Sequence, residues 1–470
     1  MANNYKSAAE LREELKNRQN DGAEKLAASG KLTARARMEL LFDEGTFVEV
    51  GAFIRRKTTE LDVGSNEDFE PVVTGYGAVD GTLVYAFSQD FSRLSGALGQ
   101  AHAKKIADIY DMAIRSEAPI VGVFDSAGAK ILEGVDALAG YGKIMEKASA
   151  AKTAIPQIAV IAGPCGGASA VIARMFDIKI ATKNGSLYIV PSSVCEDKEI
   201  GTPARLYANG TVDFSVDEEA DAFALVKKLV PCFGTFVEST DDASRTSEIG
   251  ALIASGEYEI RDVIAQIADE GSFIELKGGH ARHMATGFAS INSRVVGVVA
   301  TDPAVKGGAL CPCAVEKAAD FIDMCSGFEI PIVTLVDTIG VPQKDHAEEK
   351  NISEKLAHLA CSYTGGLSPK ITVVLGKAYG TAFTVLGSKA LGVDVAIALD
   401  SAKIAAMAPE RAVEFLGDVE DESRKSEIAS DWAAKFASPV EAAKGGHIDD
   451  IIEASELRAR IAASLEMLAF

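Results

Sequence analysis

Two halves of this 470-residue chain carry the same series of motifs in the same order, and that duplication limits the fold more than any single motif does. The first half reads "DEGTFVEV" from residue 43, "TGYGAVDGTLVYAFSQD" from 74, "APIVGVFDSAG" from 118 and "IPQIAVIAGPCGGASAV" from 155. The second answers with "DEGSFIEL" from 269, "TGFASINSRVVGVVATD" from 286, "IPIVTLVDTIG" from 330 and "SPKITVVLGKAYGTAFTV" from 368. Pro119 and Pro331, like Asp125 and Asp337, lie 212 residues apart, and Gly167 and Gly380 lie 213 apart. So long a period excludes a solenoid and predicts two copies of one domain, joined between residues 231 and 257. Domains at 1–240 and 241–470 are expected.

Each copy alternates short β-branched runs with helical patterns. "LVYAFSQD", "APIVGVFD" and "QIAVIAG" read as buried strands; "GALGQAHAKKIADIYDMAIRS" and "EGVDALAGYGKIMEKASAA" read as the helices between them. That alternation predicts an α/β layered fold with parallel strand pairs. Asp125 and Asp337 close their strands ahead of the turns "DSAGAK" and "DTIGVP", so both turns are expected on the edge where α/β sheets bind ligands.

Composition narrows the partners. The formal charge of -21 repels phosphate backbones, which excludes nucleic acid, and an anionic small ligand would need local cations or helix N-termini. Candidate cations are Arg93, Lys104, Lys105, Lys130, Arg174 and Lys377. Seven scattered cysteines show no disulfide framework and fit reduced thiols in a cytoplasm. The start of the chain, "MANNYKSAAELREELKNRQNDGAEKL", has no apolar leader segment, and the longest uncharged run, 155–173, is broken by prolines and glycines. A cytoplasmic protein is expected. "CPC" at Cys311–Cys313 lacks a second ligand pair at suitable spacing, and "HARH" at 280–283 reads as a surface feature, so no metal site is expected.

The stretch "AGPCGGASAV" at 162–171 places two glycines where a core strand ends and a helix begins. There the amides of Gly167 and Ala168 read as unpaired donors at the positive end of a helix dipole, an arrangement suited to holding an oxyanion. The matched stretch "LGKAYGTAFTV" gives Gly380, Thr381 and Ala382 the same role. Two such sites suit a reaction in which two enolate-like species exchange a group, with no nucleophile needed. No G-x-S-x-G, H-E-x-x-H, P-loop or complete G-x-G-x-x-G motif competes with that reading.

These blocks resemble the carboxyltransferase subunits of biotin-dependent acyl-CoA carboxylases and of sodium-pumping acyl-CoA decarboxylases, from about Leu32 to the C-terminus. "GKAYGTAFTVLGSKALGVDVAIA" is close to the family's K-A-Y-G-G-A-Y-x-V-M-G-S-K-x-L-G-A-D. The resemblance implies tandem crotonase-like domains of the ClpP/crotonase superfamily, with acyl-CoA on the first and biotin on the second of a partner subunit. By position, Gly167 and Ala168 would hold the thioester oxygen, and Thr381 and Ala382 beside Gly380 the biotin ureido oxygen. Asp125, Ser126, Ala127, Gly128, Ala129 and Lys130 match the family's turn near coenzyme A. Ile339, Gly340 and Val341 open the loop "IGVPQKD" beside biotin, and Thr384 falls at the position for substrate choice.

The chain departs from the family at Ala127, Lys130, Ala168 and Thr381, at the 339–345 loop and in "PSSVCEDKEIGTPARLYANG". No biotinyl-lysine motif or ATP-grasp signature is present, so the biotin is expected on a separate carrier protein. The implied partners are that biotin carboxyl carrier, a biotin carboxylase or a membrane sodium-pump decarboxylase subunit, and further copies of the chain, from dimer to hexamer. In the decarboxylase case the protein would meet a membrane through its partner. Two other readings stay open: a crotonase-type hydratase or isomerase using Glu133, and a CoA-binding subunit without catalysis.

Overall fold

The duplication is visible as two sheets of the same connectivity. A computed structural model describes residues 6–20, 22–55, 69–239, 241, 248–256, 258–342, 345–416 and 422–469. It divides into two compact units, Met1–Pro231 and Cys232–Phe470.

In the first unit the strands are β1 (Val48–Glu49), β2 (Val72–Val79), β3 (Thr82–Gln89), β4 (Ile120–Ser126), β5 (Gln157–Gly166), β6 (Ile178–Thr182), β7 (Ser186–Tyr188) and β8 (Phe214–Val216). They form a sheet in the order β1-β2-β3-β4-β5-β6-β8, with β7 on the far end of β5. The second unit holds β9 (Ile274–Leu276), β10 (Met284–Ile291), β11 (Arg294–Thr301), β12 (Ile332–Thr338), β13 (Lys370–Tyr379), β14 (Val395–Leu399), β15 (Lys403–Ala405) and β16 (Asp450–Ile452). Their order runs β9-β10-β11-β12-β13-β14-β16, and β15 pairs with β13 as β7 does with β5. From β3 to β6 and from β11 to β14 the pairing is parallel.

Parallel strands buried on both faces require apolar runs, and β4 and β12 are buried at all seven positions. Helices Gln100–Arg115 and Val135–Ala151 make the crossovers of the first unit; Pro312–Gly327 and Ile352–Thr364 make those of the second. Phe87, Phe124 and Phe176 meet edge to face in the first core, at centroid separations of 5.4–6.4 Å.

The first unit also encloses a charged cluster. Arg37, on helix Ala34–Leu41, grips Glu219 through two bonds of 2.7 and 2.8 Å and reaches Asp125 at 2.9 Å. Lys31 takes the other oxygen of Asp125 at 2.7 Å. Both side chains of the Arg37–Asp125 pair are almost sealed from solvent. Removing one partner from such a cluster strands a buried charge. Arg37→Met should therefore cost about 3–5 kcal/mol in urea denaturation of the full chain; a loss under about 1 kcal/mol would show that the cluster does not hold this unit together.

Candidate active site

In each unit the last turn of one parallel strand lies beside the strand-to-helix junction of the next. Ser126 pairs in register with Cys165 and Thr338 with Ala378, so β4 and β5, and likewise β12 and β13, end together. Gly167 and Gly380 follow at the two junctions, with φ/ψ of 57/-126° and 56/-134°. A side chain is strained in that region, and only glycine enters it freely. The helices Ala168–Met175 and Thr381–Val385 then begin.

The donor set differs from the one expected. The Gly167 N–H is donated to Tyr188 O at 2.9 Å, and the Gly380 N–H to Ala405 O at 3.0 Å, because β7 and β15 lie against the strand ends. Neither glycine amide is therefore an unpaired donor. The amides that begin the helices, at Ala168 and Thr381, lie past any backward helical bond, and each aims along the axis from the positive end of its helix. The glycine replacements at 168 and 381 cost nothing in backbone geometry, since positive φ is confined to the preceding Gly167 and Gly380. Cys165, beside this junction, is buried, and burial pushes its thiol up, away from nucleophile chemistry.

The turns after β4 and β12 match bond for bond. Ala127 and Ile339 donate their N–H to Ser95 O and Gly307 O, each at 2.9 Å. Gly128 and Gly340 donate to Ser126 Oγ and Thr338 Oγ1, at 3.1 and 3.0 Å. Leu98 and Leu310 donate back to the carbonyls of those glycines.

Side chains expected at the ligand turn have other work. Asp125 is fully buried in the Arg37 and Lys31 cluster, and its carboxylate would clash with any Cβ on Gly163. Asp337 is held by the Tyr258 hydroxyl at 2.6 Å and the Lys377 N–H at 2.9 Å. Ser126 caps its own turn, and Lys130 is buried 3.0 Å from Glu133. Ala127 is exposed and Gly128 and Ala129 are half-buried, with the Ala127 and Gly128 amides already used within the turn. Glu133, the carboxylate of the hydratase reading, is enclosed with Lys130 and accepts the Gln100 N–H at 2.6 Å. Of the candidate cations, Lys104, Arg174 and Lys377 are exposed, while Lys105 is buried and donates to Val72 O.

In the second unit, Ile339, Gly340, Val341, Gly380 and Thr381 line one open cavity of about 1320 Å³, together with Tyr379, Met407, Arg411 and Phe415. Ala382 is buried beneath it and Thr384 is exposed on the short helix; neither lines it. Gln343 and Lys344 of the 339–345 loop lie outside the described residues.

Sequence reading missed one cluster here. His283 is not a surface residue: it is 2% exposed, and its Nε2 lies 2.9 Å from Cys311 Sγ, itself 2.7 Å from Cys313 Sγ. The bond from Cys313 and then His283 draw the Cys311 thiol below its ordinary value against the effect of burial. Only the recurrence of soft donors at residues 283, 311 and 313 hinted at it, and a sequence separation of 28 hid the proximity.

A family model described as carboxyl transferase domain matches residues 25–469. Methylmalonyl-CoA decarboxylase subunit alpha of Propionigenium modestum is 36% identical over 477 residues, covering 95% of this chain and 92% of that protein. Propionyl-CoA carboxylase beta chain of Roseobacter denitrificans is 34% identical over 468 residues, covering 93% and 91%. Among solved structures, a transcarboxylase 12S with methylmalonyl-coenzyme A and methylmalonic acid bound superposes with a TM-score of 0.92 at 34% identity, over 99% of this chain and 97% of that one. The tandem crotonase-like fold expected from the resemblance is the fold observed.

Conformation and space make separable demands on these glycines. Nothing lies within 4 Å of a Cβ built on Gly167, so Gly167→Ala should cost about 1–3 kcal/mol from backbone strain alone. At Gly376 a Cβ would lie 2.3 Å from Asp337 Oδ2, and Gly376→Ala should destabilise further. Thermal melts of the two variants check this; a Gly167→Ala variant as stable as the wild type would contradict the assignment of strain to the junction, and a Gly376→Ala variant that loses less than Gly167→Ala would contradict the clash.

Proposed function

The chain belongs to the carboxyl transferase family, and from that premise we propose that it transfers a carboxyl group between biotin on a separate carrier protein and the α-carbon of an acyl-CoA. The observation that carries this reading is the repetition, once per unit, of a helix-start amide behind a glycine-only bend, at Ala168 and at Thr381. One amide site suits one carbonyl oxygen, and carboxyl transfer has two to hold: that of the thioester and that of the biotin ureido ring.

Residues 1–240 take the acyl-CoA side in this proposal and residues 241–470 the biotin side. Ala168 donates to the thioester oxygen, which favours enolate character at the α-carbon. The turn of Ala127–Ala129, exposed at Ala127, borders the coenzyme A, and the exposed Arg174 offers a cation to its phosphates. On the other side, the cavity offers a compact bicyclic ring apolar contacts from Tyr379, Met407 and Phe415, with the Thr381 amide at one wall and charged groups such as Lys306 and Arg411 at others. Biotin supplies a ureido nitrogen that carries the carboxyl group one way and the α-proton the other. Because donors to both oxygens serve the forward and reverse steps alike, the same arrangement suits carboxylation and decarboxylation.

The donor set of the sequence reading, Gly167 with Ala168 and Gly380 with Thr381 and Ala382, narrows in this proposal to Ala168 and Thr381, with the two glycines setting the bend. We propose Ile339, Gly340 and Val341 as the cavity wall beside biotin and Thr384 as a more distant influence on substrate choice. A multi-subunit system follows, with a biotin carboxyl carrier and either a biotin carboxylase or a membrane decarboxylase subunit. Exposed Ile131, Val135 and Leu138, 59–87% accessible, support a homo-oligomer, from dimer to hexamer. Among the described residues, no helix is long and apolar enough to cross a membrane.

Proline separates the donor from the fold. It is tolerated at the first helical position and lacks the N–H, and the φ/ψ of the preceding glycine mirrors the extended conformation that proline favours before it. Ala168→Pro and Thr381→Pro should each lower carboxyl transfer between methylmalonyl-CoA and a biotinyl carrier by about 100- to 1000-fold, with stability changed by under about 1 kcal/mol. Wild-type chain that transfers no carboxyl group with any short acyl-CoA, or proline variants of full activity, would refute the reading.

A further inference from the structure

Three soft donors converge at one point of the second unit and take no part in the amide chemistry. His283 enters from the residue before β10, while Cys311 and Cys313 stand at the N-cap and second position of helix Pro312–Gly327. Pro312 occupies the first helical position between them and fixes the turn that sets both thiols on one side. The ligand atoms of all three lie within 4.8 Å of one another. All seven cysteines are free thiols, so no disulfide accounts for the approach of Cys311 and Cys313.

We propose that His283, Cys311 and Cys313 bind one thiophilic d10 cation of the zinc class, with a fourth coordination position open to the cavity that Cys311 and Pro312 line. One imidazole and two thiolates are the donor set such ions select, and three protein ligands with one open position is the arrangement of an exchangeable site. Zinc–sulfur bonds of about 2.3 Å in a tetrahedron separate two sulfurs by roughly 3.8 Å, so each thiol swings outward by a modest side-chain rotation. The buried imidazole places its Nε2 2.9 Å from Cys311 Sγ, so the outward swing of that thiol also opens the distance an ion between them requires. In that position the ion sits at the wall of the cavity, near Lys306 and Ile339, and its open site faces whatever occupies that space. The inference uses none of the amide donors and stands independently of the carboxyl-transfer reading.

Cobalt(II) reports the site optically. Titrating the reduced, metal-stripped full chain with cobalt chloride should give a sulfur-to-cobalt charge-transfer band in the near ultraviolet and intense tetrahedral visible bands, saturating at one equivalent and bleached by zinc. Cys311→Ser with Cys313→Ser should abolish the bands, and Cys361→Ser, at an exposed thiol elsewhere, should leave them unchanged. His283→Asn should shift the visible bands. A wild-type chain that gives no charge-transfer band, or a band that survives the double cysteine variant, would overturn the proposal.

Discussion

In this chain a parallel strand passes into a helix through a single residue whose backbone conformation strains any side chain, and it does so twice. Gly167 and Gly380 adopt almost the same φ/ψ, each tied by its own N–H to a short strand alongside. The bend is what starts the next helix at Ala168 or Thr381, whose amide has no partner within its own helix. Around it the sequence is built to leave room. Gly96 and Gly308 let the chain pass the carbonyls of Asp125 and Asp337, and Gly163 and Gly376 make space for their carboxylates. A doubled set of buried aspartates, each closely approached by glycines, thus stands beside a doubled set of glycine bends.

The anchors are alike in place and unlike in chemistry. Asp125 is neutralised by Arg37 and Lys31, which reach it from a helix and loop near the start of the chain. Asp337 is satisfied by a phenol and a main-chain N–H, and that carboxylate, after burial itself, raises the Tyr258 hydroxyl well above its ordinary value. The turn geometry is the same in both units while the supporting contacts diverge. That is the pattern expected when function selects the position of a backbone group rather than a side chain.

The architecture was legible because hydrophobic runs and glycine positions are local signals that a repeat prints twice. "APIVGVFD" and "QIAVIAG" became β4 and β5, and the helix read over 133–151 is Val135–Ala151. What sequence hid was set by distance along the chain. Nothing in "VFDSAG" tells that Asp125 faces Arg37 rather than a ligand, or that the Gly167 amide meets Tyr188. His283 looked like a surface residue in a polar run until β10 carried it against Cys311. Main-chain donors have no residue code, so Ala168 and Thr381 could be placed only through the glycines before them.

The central claim is that each unit holds one carbonyl oxygen on one helix-start amide. A crystal structure of the full chain with an unreactive methylmalonyl-CoA analogue and biotin tests it most directly. The account predicts the thioester oxygen at about 2.7–3.1 Å from Ala168 N and the ureido oxygen at the same distance from Thr381 N. Both oxygens on one unit, or either one held by a side chain away from these amides, would contradict it.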